Sequence, residues 1–223
     1  MILGHIKDNK LAIEVMGMFI TLEGVEGSGK TTVARRLVKI LEDNGYDVLS
    51  TREPGGNKIA ESIRDVVLDT SNTDMDVRTE ALLYAAARRQ HLVDVIEPAL
   101  KAKRLVICDR FVDSSIAYQG YARKIGPELV EDINDFAIAG KRPDVTFLIN
   151  IKPEIGLKRI SKDQDREVNR LDLEELEFHQ LVYDGYQELA KKYSNRIIVI
   201  DGKRQVASIV SDIYQIIKSR ITL

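Results

Sequence analysis

A lysine and two threonines close a glycine-rich run, Gly24-Val-Glu-Gly-Ser-Gly-Lys-Thr-Thr32, in this 223-residue chain. Those residue types at that spacing can hold phosphate. Glycines let the backbone curl so that successive N–H groups converge on one point, and a helix starting at the lysine adds the positive end of its dipole. Lys30 would then reach the β and γ phosphates of a nucleotide, and the Thr31 hydroxyl would ligate the Mg²⁺ that rides on them. Other polar groups fall where strands would end. Arg52-Glu-Pro-Gly-Gly56 and Asp109-Arg110 each follow an apolar run. A carboxylate such as Asp109 at the tip of a buried strand is costly unless a cation meets it, and in a phosphate-loop protein that cation is the nucleotide's magnesium or its water shell. Glu80, Tyr84 and Arg88 are four apart and share one helix face. A mixed-charge segment carries Lys158, Arg159, Lys162, Arg166 and Arg170. Each of these groups also has an ordinary structural explanation: a turn with an ion pair, a cation–π contact between Tyr84 and Arg88, a solvated helix face.

The elements that must position these groups follow from hydrophobic periodicity. Short apolar runs at Met18–Leu22, Tyr46–Thr51, Leu105–Cys108, Val145–Ile151 and Arg196–Ile200 read as five strands. Helical patterns lie between them: 32–44 stopped by Gly45, 58–69, 77–96 closed by Pro98, 127–140, 171–193 and 207–221. Strands alternating with helices predict an α/β fold with a parallel sheet covered on both faces. In such a sheet, ligands meet the loops beyond the carboxyl ends of the strands, so the glycine-rich loop, the Arg52–Gly56 loop and Asp109 face one crevice.

The net charge of −2 provides no general attraction to nucleic acid or an anionic membrane, so anion recognition must come from local arginine and lysine clusters. The single cysteine, Cys108, excludes an internal disulfide framework, fits a reducing cytoplasm and reads as buried filler. No apolar stretch reaches the roughly 18 residues of a membrane span. Residues 1–17 read as an N-terminal extension, an upstream start or a tag, ahead of one domain over 18–223. His91 and His179 lack partners at ligand spacing and read as structural.

With Asp109-Arg110-Phe111-x-x-Ser114-Ser115-x-Ala117-Tyr118-Gln119-Gly120 and Thr79-Glu-x-Leu-Leu-Tyr-x-Ala-x-Arg88 added to the two glycine-bearing loops, the chain resembles the bacterial thymidylate kinases from about Met18 to its end. The resemblance implies a P-loop NTPase fold, a three-layer sandwich with a five-stranded parallel sheet and a short lid at about 158–172. It implies transfer of the γ-phosphoryl group of ATP to dTMP with Mg²⁺, in a cytoplasmic homodimer with no nucleic-acid or membrane partner. Gly24, Val25, Glu26, Gly27, Ser28, Gly29, Lys30, Thr31 and Thr32 would bind ATP, with Thr31 and Asp109 at the metal. Glu53 would face the deoxyribose, Arg52 and Arg110 the acceptor phosphate, and Arg64 would be a further acceptor-side arginine. Tyr84 would stack on thymine, Arg88 would bond a base carbonyl, and Ser115 and Gln119 would read the base edge. The eukaryotic relatives carry an arginine in the phosphate loop, where this chain has Gly27; the resemblance therefore assigns catalytic charge to the lid, with Arg159, Arg166 and Arg170 as candidates beside Lys30. Two other readings stay open: another nucleoside monophosphate or deoxynucleoside kinase, and a non-catalytic nucleotide switch. The absence of an Asn-Lys-x-Asp guanine-reading motif weighs against the switch.

Overall fold

The computed structural model describes residues 17–162 and 169–221. Five strands, β1 (Met18–Glu23), β2 (Val48–Arg52), β3 (Leu105–Asp109), β4 (Val145–Asn150) and β5 (Ile197–Asp201), form one all-parallel sheet in the order β2-β3-β1-β4-β5. The helices are α1 (Lys30–Asp43), α2 (Lys58–Leu68), α3 (Val77–His91), α4 (Glu97–Lys101), α5 (Val112–Ser115), α6 (Pro127–Ile138), α7 (Pro153–Ile160), α8 (Leu176–Lys192) and α9 (Val206–Ile221).

Alternation along β1 explains the layering. Ile20 and Leu22 point to one face, where Val33, Leu37 and Leu41 of α1 and Ile209, Ile213 and Ile217 of α9 close over them. Phe19 points to the other face, against Leu92, Ile96 and Phe111. The same face carries Thr21 and Glu23, both fully buried, so polar groups enter this layer deliberately: Thr21 bonds Thr146 across the sheet at 2.7 Å. Register puts Arg52 and Leu22 level with Asp109, and this aligns the carboxyl ends of three strands along one edge.

Two expectations about helices need correcting. Pro98 does not close the helix that starts at Val77. The backbone widens into a π turn at Leu92–Ile96 and continues as α4, whose first turn contains Pro98. The change of register removes the demand for the amide hydrogen that proline lacks. The expected helix over 171–193 is also two pieces, a 3₁₀ turn at Arg170–Leu173 capped reciprocally by Asn169 and Asp172, and then α8. The polar, aromatic stretch after Asp113 is α5 running into a π turn at Ile116–Ala122, nearly all of it buried. Most of the 1–17 extension, and residues 163–168 of the lid with Arg166 among them, lie outside the described residues.

Candidate active site

The phosphate loop owes its shape to backbone contacts as much as to glycine freedom. At Gly27, φ is +66°, and a Cβ there would lie 2.2 Å from the Gly156 carbonyl oxygen; a Cβ on Gly156 would lie 2.0 Å from the Glu26 carbonyl. Two glycines thus let α7 touch the loop. An arginine at position 27 has no room in this packing. Gly29 caps α1 in the left-handed region (φ 96°) and offers no side chain to the first-turn N–H groups, which stay available to an anion. Lys30 folds back on the loop, with Nζ donating to the carbonyls of Gly24 (3.0 Å) and Val25 (2.9 Å) and to Ser28 Oγ (3.3 Å). Burial, followed by the neighbouring Arg110 cation, pushes its pKa down to about 8.

Arg110 follows the tip of β3 at φ +73°, an unusual conformation for a side-chain-bearing residue. Nη1 donates to the Gly24 carbonyl, Ser114 Oγ and Tyr186 Oη, each at 3.1 Å, and Nη2 to Glu26 Oε1 at 2.7 Å. Beneath it sits Glu23, which accepts from the Phe111 N–H, Ser114 and Tyr186. Burial and the nearby Asp113 raise Glu23 to about 7. Glu23 escaped the sequence reading, although it too is a carboxylate ending a buried strand, the signal that singled out Asp109. Asp109 accepts from the Thr31 hydroxyl at 2.7 Å. Two oxygen donors that already touch, one a carboxylate, are the chemistry Mg²⁺ prefers, and both line the cavity described below.

Arg52 and Glu53 part company. Arg52 is half-exposed and pairs with both carboxylate oxygens of Glu61 (2.7 and 3.1 Å), which the sequence reading did not single out. The Arg52 bonds hold the Glu61 carboxyl down at about 2. Arg64 donates to the Pro54 carbonyl at 3.0 Å. Glu53 turns inward: Oε2 meets Arg88 Nε at 2.7 Å and Oε1 meets His91 Nδ1 at 3.0 Å, while His91 Nε2 bonds Thr51 Oγ1 at 2.7 Å. His91 is therefore built into the wall behind the Arg52–Gly56 loop.

Arg88 is 2% exposed. Besides Glu53 it donates to Ser115 Oγ (2.9 Å), to the Phe111 carbonyl (3.0 Å) and to Asn134 Oδ1, and its guanidinium lies over the Phe111 ring, 5.2 Å from the centroid, rather than over Tyr84. Among the described residues no group bonds the buried Tyr84 hydroxyl. Gln119 donates from Nε2 to Glu80 Oε1 at 2.8 Å.

The lid candidates separate. Arg159 on α7 lies over the phosphate loop, with Nη1 3.4 Å from the carbonyls of Gly27 and of Ser28 and Nη2 3.2 Å from that of Gly202. Arg170 is not at the loop. It is buried, bonded to the Val67 carbonyl (2.9 Å) and Glu80 Oε2 (2.5 Å), because a buried carboxylate on α3 needs its charge. Arg166 lies outside the described residues.

Glu26–Thr32, Arg52, Glu53, Arg64, Tyr84, Arg88, Asp109, Arg110, Ser115, Gln119 and Arg159 all line one cavity of about 600 Å³, with Gly27–Thr32 and Arg159 at the phosphate-loop end and Tyr84, Arg88, Ser115 and Gln119 away from it. Gly24 and Val25 contribute carbonyls behind the loop.

A family model described as thymidylate kinase matches residues 22–213. The chain is 55% identical over 202 residues to a thymidylate kinase of Clostridium novyi (strain NT), a match covering 91% of this chain and 98% of that protein. It is 53% identical over 207 residues to one from Halalkalibacterium halodurans, covering 93% and 99%. Among solved structures, the crystal structure of thymidylate kinase from Ehrlichia chaffeensis matches with a TM-score of 0.73 at 35% identity, covering 91% of this chain and 98% of that one.

Proposed function

Since this chain belongs to the thymidylate kinase family and is a phosphotransferase that phosphorylates dTMP, we propose that it uses ATP and Mg²⁺ and moves the γ-phosphoryl group in line, with no covalent enzyme intermediate. The observation that carries this reading is the single cavity with an N–H nest at one end and a buried arginine beside an aromatic wall at the other.

The acceptor is a phosphate oxygen already ionised near neutral pH, so the site needs charge and alignment more than a strong base. Lys30 would exchange the Gly24 and Val25 carbonyls for phosphate oxygens of ATP. Arg110, which now grips Glu26, would turn its outer donors to the dTMP phosphate, with Arg52 beside it. Mg²⁺, held by Thr31 and Asp109, would supply neutralisation of charge between donor and acceptor phosphates. Arg159 is our choice for the donor-side cation that the phosphate loop lacks, because Gly156 brings α7 against that loop. Glu53 and Arg64 belong to the deoxyribose and phosphate side, and Tyr84, Arg88, Ser115 and Gln119 to thymine. Holding both phosphates in one cleft converts a bimolecular encounter into an intramolecular one, the largest contribution positioning can make.

We place the enzyme in the cytoplasm and as a homodimer. Phe136 (90% exposed) and Leu129 are seven apart on one face of α6, and α3, which packs against α6, carries the exposed Leu82; these apolar side chains are suited to a second copy. Sedimentation of Phe136→Glu against the unaltered protein tests this, and a monomer in both would reject it. ADP release measured with dTMP, dUMP, dCMP, dGMP and thymidine tests the reaction. The expected order has dTMP first, with slow hydrolysis when no acceptor is present. Hydrolysis as fast without acceptor as with it would reject phosphoryl transfer.

A further inference from the structure

Glu80 is fully buried, one turn before Tyr84 on α3, and three donors converge on it. Arg170 reaches Oε2 at 2.5 Å, Arg123 approaches both oxygens at 3.2–3.3 Å, and Gln119 donates from Nε2 to Oε1 at 2.8 Å. A carboxylate paired with two guanidiniums offers lone pairs only. A primary amide has one face that donates and one that accepts, and only the donating face can meet Glu80. Gln119 is therefore left with Oε1 for the cavity it lines, and among the described residues nothing donates to that oxygen. A flipped amide would set two acceptors against each other in a buried site, where an unmade hydrogen bond costs its full desolvation penalty.

The polarity of this end of the cavity is thus set. Arg88 can only donate, and Gln119 is held as an acceptor. The Tyr84 ring is a wall beside them. Thymine shows the complementary edge, a carbonyl oxygen next to an N3–H. Cytosine shows the inverse, an amino group next to an N3 lone pair. We propose that Glu80 is a positioning residue that determines base specificity: by locking the Gln119 amide, it selects pyrimidines with an imide edge and rejects those with an amino edge. This rests on the reading above that the acceptor base occupies the Tyr84–Gln119 end.

The test is Glu80→Gln, which replaces a fixed acceptor by a group that can also donate and so frees the Gln119 amide. The readouts are two ratios of kcat/KM, dTMP over dCMP and dTMP over dUMP, and ratios do not depend on the fraction of enzyme that is folded. The expected result is a fall of about tenfold or more in dTMP over dCMP, with dTMP over dUMP unchanged, because uracil and thymine share the imide edge. In a Gln119→Ala background, Glu80→Gln should alter neither ratio further. Should the substitution leave Arg170 unpaired and prevent folding, the double variant Glu80→Gln/Arg170→Gln removes the buried cation with its partner, and the same ratios are read. An unchanged dTMP over dCMP ratio, or an equal fall in both ratios, overturns the proposal. Absence of dTMP phosphorylation in the unaltered protein would instead overturn the functional reading.

Discussion

The pKa of Lys30 is depressed to about 8, by burial and by Arg110. Polyphosphate brought against Nζ reverses both causes, so ATP should bind the protonated form. The apparent dissociation constant then scales with the inverse of the protonated fraction. Relative to pH 6 it should rise about twofold at pH 8 and about tenfold at pH 9, with uptake of about half a proton per site at pH 8 and nearly one at pH 9. Calorimetric titration with a non-hydrolysable ATP analogue, in two buffers of different ionisation enthalpy, measures the uptake, and Lys30→Met supplies the baseline from other groups. The same shift acts on stability. The pKa lies below its unfolded value of 10.5, so between about 8 and 10.5 the unfolded chain binds a proton that the fold does not, and stability rises with pH across that window. Below about 8 the fold carries the whole penalty, about 3 kcal/mol at 1.36 kcal/mol per unit. Binding that takes up no more protons at pH 8–9 than in Lys30→Met would refute the reasoning.

Arg110→Ala should lower kcat/KM for dTMP by about 10²–10³ while ATP affinity changes far less, because the proposed function gives its guanidinium to the acceptor phosphate; steady-state kinetics with each substrate varied decides this, and equal weakening of both would count against the assignment. Gly27→Ala should destabilise by about 2–3 kcal/mol through the left-handed backbone and the Gly156 contact, and urea unfolding reads it directly; an unaltered midpoint would show that α7 can move away at no cost. Glu53→Ala removes both partners' anion from a site where Arg88 is 2% exposed, and an uncompensated buried charge should cost about 3–5 kcal/mol. Glu53→Gln should lose less, because it keeps a hydrogen-bonding oxygen, and a reversed order would argue against the ion pair as the cause.

The local physics of the chain was legible in the sequence. Glycine spacing before Lys30 announces a nest for phosphate, short apolar runs announce the buried strands, and four-residue spacing puts Glu80, Tyr84 and Arg88 on one stripe of α3. These are properties of backbone geometry, decided within a few residues. Partner choice among charged groups is not of that kind. An arginine looks the same in sequence whether it reaches out over a loop, as Arg159 does, or turns in to a carboxylate 90 positions away, as Arg170 does to Glu80. Glu53 and Arg52 are adjacent, yet one is sealed against Arg88 and His91 while the other meets Glu61 near solvent. The direction of the Gln119 amide, likewise, comes from a buried anion on another helix. Desolvation makes such choices decisive, and only the packing of distant segments determines which charges lose their water.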